Sequence, residues 1–175
     1  VIYFATNRNS RVRQRGGQRV YEFGDRFSED GPEDLMFGWV DGPDQPVTQI
    51  VDSPQALKQA MDALRVRMRQ EKRDLVFYLH GFRNQFEDAL TAGHQLEALF
   101  TEAGYPALVC VLSWPANKSV IVPKNYFDDR DDAALSGLAM GRAFQYLIDF
   151  LRELSPQDHC GQHCHLLTCN RSAIQ

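Results

Sequence analysis

Two rhythms of apolar and polar positions alternate along the chain, and their order predicts its elements. Val1 to Ala5 is a short apolar run closed by the polar Thr6-Asn7-Arg8, and reads as a first strand. A polar segment rich in Arg and Gly follows. Leu35 to Val40 and Val47 to Val51 are two further strand candidates, separated by the turn-forming Asp41-Gly42-Pro43-Asp44, and they fit a meander better than crossover units. Ser53 offers an N-cap and Pro54 suits the first helical position, introducing a helix with Leu57, Ala60, Met61, Leu64 and Met68 on one face. That helix delivers the chain to Leu75-Val76-Phe77-Tyr78-Leu79, an unbroken apolar run of strand length stopped by His80-Gly81. A strand apolar at every position is buried on both faces, which suits a parallel sheet.

After Gly81 the period changes. Phe86, Ala89, Leu90, Gly93, Leu96 and Phe100 fall on one helical stripe, with Asn84 as the expected cap. Ala107 to Leu112 is a second fully apolar strand, closed by Ser113-Trp114-Pro115, where Pro115 ends the pairing. A polar connection containing Pro123 leads to Asp128-Asp129-Arg130-Asp131-Asp132, expected at the positive end of a long helix whose stripe is Ala134, Leu138, Gly141, Phe144, Ile148 and Leu151. Cys164 to Thr168 reads as a last strand. The stretch Asp74 to Leu90 is therefore strand, tight turn and helix, and such turns lie at the carboxyl ends of parallel strands, where open α/β sheets place their ligand sites.

Composition narrows the functional classes. A chain of 175 residues is one ordinary domain, spanning 1–175, and at this size about 70% of the unfolded surface can be buried. Lys plus Arg number 19 against 23 Asp plus Glu, so no global basic field draws the protein to nucleic acid or to an anionic membrane. Arg8, Arg11, Arg13, Arg15 and Arg19 cluster, but in a Gly-containing polar segment without interleaved aromatics, which favours a solvated loop over a nucleic-acid surface. No apolar run approaches a membrane span, and VIYFATNR lacks the regions of a signal peptide, so a cytoplasmic location is expected. The missing initiator Met implies a processed or cut start.

Cysteine and histidine usage adds a metal question. Cys110 lies inside an apolar run, while His159, Cys160, His163, Cys164, His165 and Cys169 are dense in zinc-ligand types. Their spacing matches no standard zinc module, and the acidic run 128–132 is better explained as a helix start than as a cation site, so no metal and no cofactor are expected.

Four blocks, VIYFATNR, LHGFRNQFEDAL, VLSWPA and HLLT, stand in an order and spacing that resembles the bacterial esterase-like branch of the α/β-hydrolase superfamily. The resemblance implies an α/β fold: a mostly parallel sheet with helices on both faces and antiparallel pairing near the amino terminus. It implies a small acyl-ester substrate and a His-Gly turn that supplies one backbone N–H of an oxyanion hole, here that of Phe82, with Gly81 allowing close backbone approach. His80, Gly81, Arg83 and Trp114 are then the expected substrate-side residues. For His80 a hydrogen-bonded turn residue is favoured over a catalytic base, and for Trp114 plain packing is the alternative to lining the crevice.

The same resemblance places the nucleophile just after Leu166-Leu167-Thr168, on a strained strand-to-helix turn with small residues on either side. The sequence there is Cys169-Asn170-Arg171-Ser172, so Asn170 stands where the nucleophile belongs, and its amide is no nucleophile. Cys169 and Ser172 lack small residues at the flanking positions, and the acid and His that normally come later do not follow within 175 residues. The expectation is an altered or truncated hydrolase scaffold, inactive as the chain stands. The alternative from another class is a non-catalytic module that self-associates through the apolar edge of its last strand.

Overall fold

In a computed structural model of the chain, residues 1–116, 123–153 and 164–168 are described, those at 123–129, 151 and 164–168 by their backbone. The elements are β1 (Ile2–Thr6), β2 (Arg8–Arg15), β3 (Gln18–Phe27), β4 (Met36–Val40), β5 (Gln49–Val51), α1 (Pro54–Glu71), β6 (Asp74–Leu79), α2 (Phe86–Glu102), β7 (Ala107–Ser113), α3 (Pro123–Arg152) and β8 (Cys164–Thr168). Six strands form one sheet in the order β5-β4-β1-β7-β6-β8. Pairing is parallel for β1 with β7, β7 with β6 and β6 with β8, and antiparallel for β1 with β4 and β4 with β5. The sheet is thus mixed, with the expected meander at one end and the parallel strands at the other.

The two apolar runs became the centre because each side of their pleat meets a separate core. Leu75 and Phe77 of β6, with Leu108, Cys110 and Leu112 of β7, pack under Leu64 and Met68 of α1 and under Ala139, Ala143, Leu147 and Phe150 of α3. Val76 and Tyr78, with Val109 and Val111, pack on the opposite face against Phe86, Ala89 and Leu90 of α2 and Phe23 of β3. Helices on both faces are therefore met in part: two helices cover one face, and a single helix shares the other with a hairpin. Gly93 lets α2 lie close to the sheet, since a Cβ there would come within 2.5 Å of Val111 Cγ2.

Helix starts follow local chemistry. Ser53 caps α1 as expected, its hydroxyl accepting from the Ala56 N–H at 3.2 Å. In α2 the expected cap Asn84 is displaced by Gln85, because Asp88 Oδ2 accepts from the Gln85 N–H at 3.1 Å while Asn84 Nδ2 donates to Gly81 O at 3.3 Å. The third helix departs further from expectation. It begins at Pro123, so the acidic run lies within the helix and its first turn holds no acid. Its packed stripe is Ser136, Ala139, Met140, Ala143, Leu147 and Phe150, while Ala134, Leu138 and Gly141 are exposed and Phe144 and Ile148 half-buried. Small alanines bring the helix axis close to the sheet, which outweighs the burial that Leu138 would have gained.

The Arg-rich segment is the largest correction. It is a hairpin of β2 and β3, paired from Arg15↔Gln18 back to Arg8↔Phe27, with a register irregularity between Arg8 and Ser10. Gly16 and Gly17, at φ 57° and 81°, make the two-residue turn, a conformation that costs glycine little. Arg11, Arg13, Arg15 and Arg19 are solvated as expected, but Arg8 is fully buried. At the far edge of the six-stranded sheet, β8 pairs with β6 alone among the described residues.

Candidate functional site

Parallel pairing brings the carboxyl ends of β1, β7, β6 and β8 to one edge. Thr6 stands opposite Ser113, Leu79 opposite Leu112, and Thr168 opposite Leu79. Helix α2, which follows β6, packs on one face of the sheet and α3, which follows β7, on the other, and it is at such strand ends that open α/β sheets place their ligands. His80 to Asn84 stand at this edge after β6, Ser113 and Trp114 at the end of β7, and Asn7 and Arg8 after β1.

His80 lies at the base and is 2% exposed. Its Nδ1 is 2.8 Å from Gly81 O, and a carbonyl only accepts, so Nδ1 carries the proton and Nε2 holds the lone pair. That lone pair faces three donors: the Trp114 N–H at 3.1 Å, the Ser113 hydroxyl at 3.1 Å and an Arg8 Nη2 donor at 3.4 Å. Burial, and next the Arg8 charge, lower the imidazole pKa to about 4 against the opposing pull of contacts with Gly81, Trp114 and Asp88. Close to neutral pH His80 is uncharged and already hydrogen-bonded at both nitrogens. The Ser113–His80 contact has the look of a nucleophile with its base, yet Ser113 is fully buried and its oxygen also accepts from Arg8 Nε at 2.9 Å. Both side chains are thus engaged with Arg8 as well as with each other.

Trp114 closes the base from the side. Its indole N–H donates to His80 O at 3.1 Å, and the two rings stack with centroids 5.3 Å apart and planes 15° apart. Trp114 is itself buried, with 7% exposure. Gly81 and Phe82 are half-buried in the turn, and Arg83 is exposed at the rim in a left-handed conformation, φ 62°. A non-glycine residue in that region signals a turn held by its surroundings.

What holds it includes Arg8, which sequence reasoning left in a solvated loop. Its guanidinium donates from Nε to Ser113 Oγ, from Nη1 to Gly24 O at 2.9 Å, and from Nη2 to Asn84 O at 2.8 Å and toward His80 Nε2. Asn7, also fully buried, donates its amide to Pro32 O at 2.9 Å and Ser136 Oγ at 3.2 Å, joining the end of β1 to α3. The one available signal was the position of Asn7-Arg8 directly after a buried strand, inside one of the four recognised blocks.

Of the expected site residues, His80, Gly81, Phe82, Arg83 and Trp114 come together. Asn170, with Cys169, Ser172, His159, Cys160 and His163, lies outside the described residues, and Cys164 and His165 are described by backbone alone. Among the described residues no group of three or more His, Cys, Asp or Glu gathers as a metal site requires, and no helix is long and apolar enough to cross a membrane. Cys110 is no hidden nucleophile, since burial inside β7 pushes its thiol up to about 12. Two cavities lie elsewhere: an apolar one of about 20 Å³ under α1, and an open groove of about 620 Å³ between the hairpin, Pro43 to Val47 and α2. Neither includes His80, Phe82 or Trp114.

An α/β sheet whose parallel strands end together at one edge is the class these features define. Residues 55–154 match the family described as alpha/beta hydrolase of unknown function (DUF900), and the chain belongs to that family. No curated protein and no solved structure matches the chain.

Proposed function

We propose that the turn from His80 to Asn84 is the oxyanion-binding side of a serine-type ester hydrolase site, with a small acyl ester as its ligand class. The supporting observation is the turn itself, fixed at the carboxyl end of β6 by contacts to Trp114 and Arg8. In acyl transfer negative charge grows on the carbonyl oxygen, and a backbone N–H aimed at that oxygen is worth about 3 kcal/mol in the transition state. The Phe82 N–H fills that role here. Gly81 has no side chain to bar the acyl group, and Arg83 stands at the rim where a leaving group or solvent-facing portion passes. His80 takes no proton in this scheme, because its lone pair is occupied at the base of the site. The nucleophile's position belongs to Asn170, so residues 1–175 bind an acyl ester without cleaving it.

The test uses the full chain labelled with ¹⁵N and a short alkyl phosphonate monoester, whose tetrahedral anionic centre resembles the transition state. Saturable shifts are expected at the Phe82 amide and the Trp114 indole N–H, with no hydrolysis of p-nitrophenyl acetate above background. Shifts absent from residues 80–84 would overturn the assignment of the turn. Hydrolysis abolished by a fluorophosphonate would overturn the absence of a nucleophile.

A further inference from the structure

Arg8 is the largest fully buried side chain described in the protein, and what it touches is the candidate site. Its Nη2 reaches both ends of the turn, His80 Nε2 at the first residue and Asn84 O at the last. The remaining donors anchor the guanidinium to two other elements, Ser113 Oγ at the end of β7 and Gly24 O in β3. A planar fork held at Ser113 and Gly24 has little freedom to rotate, so the spacing between His80 and Asn84 is fixed from behind. Three residues lie between those two points, and Phe82 is the middle one.

We infer that Arg8 is the positioning residue of the turn, fixing His80 and Asn84 on either side of Phe82; the inference rests on the oxyanion reading of that turn. Arg8 itself touches no ligand in this scheme. Its action runs through the Asn84 carbonyl and the His80 ring, and through Ser113, whose hydroxyl links Arg8 Nε to His80 Nε2. Lysine cannot replace it, because an ammonium donates from one point and cannot bridge acceptors contributed by β3, β7 and both ends of the turn.

The experiment compares wild-type chain with Arg8→Lys and Arg8→Gln by amide hydrogen exchange, the ¹⁵N shift of His80 Nε2, and phosphonate titration. In the Lys variant, exchange at residues 81–85 is expected to rise by about tenfold or more while β6 and β7 amides keep their protection. The His80 Nε2 resonance moves, and phosphonate affinity read at the Phe82 amide falls by about tenfold. A general loss of protection across β1, β3 and β7 with no excess at 81–85 would mark Arg8 as merely structural and overturn the inference. So would wild-type exchange and affinity in the Lys variant. If neither Arg8 variant folds, Ser113→Ala removes one anchor alone, and the same localised rise at 81–85 is expected; its absence counts against positioning. Should the wild-type chain bind no phosphonate, the oxyanion reading falls by itself, and the exchange pattern still decides whether Arg8 fixes the turn.

Discussion

Replacing His80 with Gln is expected to flatten the acid side of the protein's stability curve below pH 6.5. In the folded chain the imidazole is buried and its pKa is near 4, lowered first by loss of hydration and then by the Arg8 charge. The unfolded chain has the ordinary value of 6.5, so it takes up the proton first as the pH falls. Stability owed to a neutral His80 is therefore complete above pH 6.5 and lost as the pH drops through 6.5 toward 4. The loss between pH 7 and pH 4 amounts to roughly 3 kcal/mol, a large part of what a domain of ordinary stability possesses. Gln retains an oxygen acceptor in place of Nε2 and cannot titrate. Urea unfolding midpoints at pH 7.0, 5.5 and 4.5 should fall much more steeply for wild type than for the Gln variant. Parallel slopes for the two proteins would show that folded His80 takes up its proton as readily as the unfolded chain, contrary to its burial among three donors.

Phe86→Ala is expected to cost about 3–5 kcal/mol, through lost burial and the cavity left behind. Phe86 is 2% exposed, opens α2 directly after the turn, and lies in a three-ring cluster. It meets Phe4 of β1 edge-on at 5.0 Å and Phe23 of β3 at 4.3 Å, while Phe4 and Phe23 meet at 5.6 Å. These rings are where sheet, hairpin and helix join. Removing the middle one loosens the hairpin that carries Gly24, and with it one of the anchors of Arg8. A fall in melting temperature on the order of 10 °C follows for a chain of this size. Leu99→Ala, in the same helix but 60% exposed, should change little and serves as the control. A Phe86 variant that melts with the control would mean that the hairpin does not pack on α2.

The elements read correctly from the sequence share one property, that their burial is decided locally. Leu75 to Leu79 and Ala107 to Leu112 are apolar at every position, which leaves only a strand with two covered faces. Ser53-Pro54 starts a helix by chemistry contained in four residues. The misread elements depend on partners far along the chain. In β2 and β3 the Arg residues concealed the strand pattern, although Gly16-Gly17 was a hairpin turn signal. Arg8 could not be placed in the interior from its neighbours, because its acceptors come from residues 24, 84 and 113. In α3 the face that packs is chosen by Ala139 and Ala143, and hydrophobicity alone pointed to Leu138. The His80–Gly81 turn at the end of β6 was legible, but the support beneath it was not.

A crystal structure of the full chain with a short alkyl phosphonate monoester bound tests the central claim most directly. One phosphonyl oxygen is expected about 2.7–3.1 Å from the Phe82 backbone nitrogen, with Arg8 still bonded to Asn84 O behind the turn. A phosphonate seated instead in the open groove beside Arg15, with the turn from His80 to Asn84 unchanged, would contradict it.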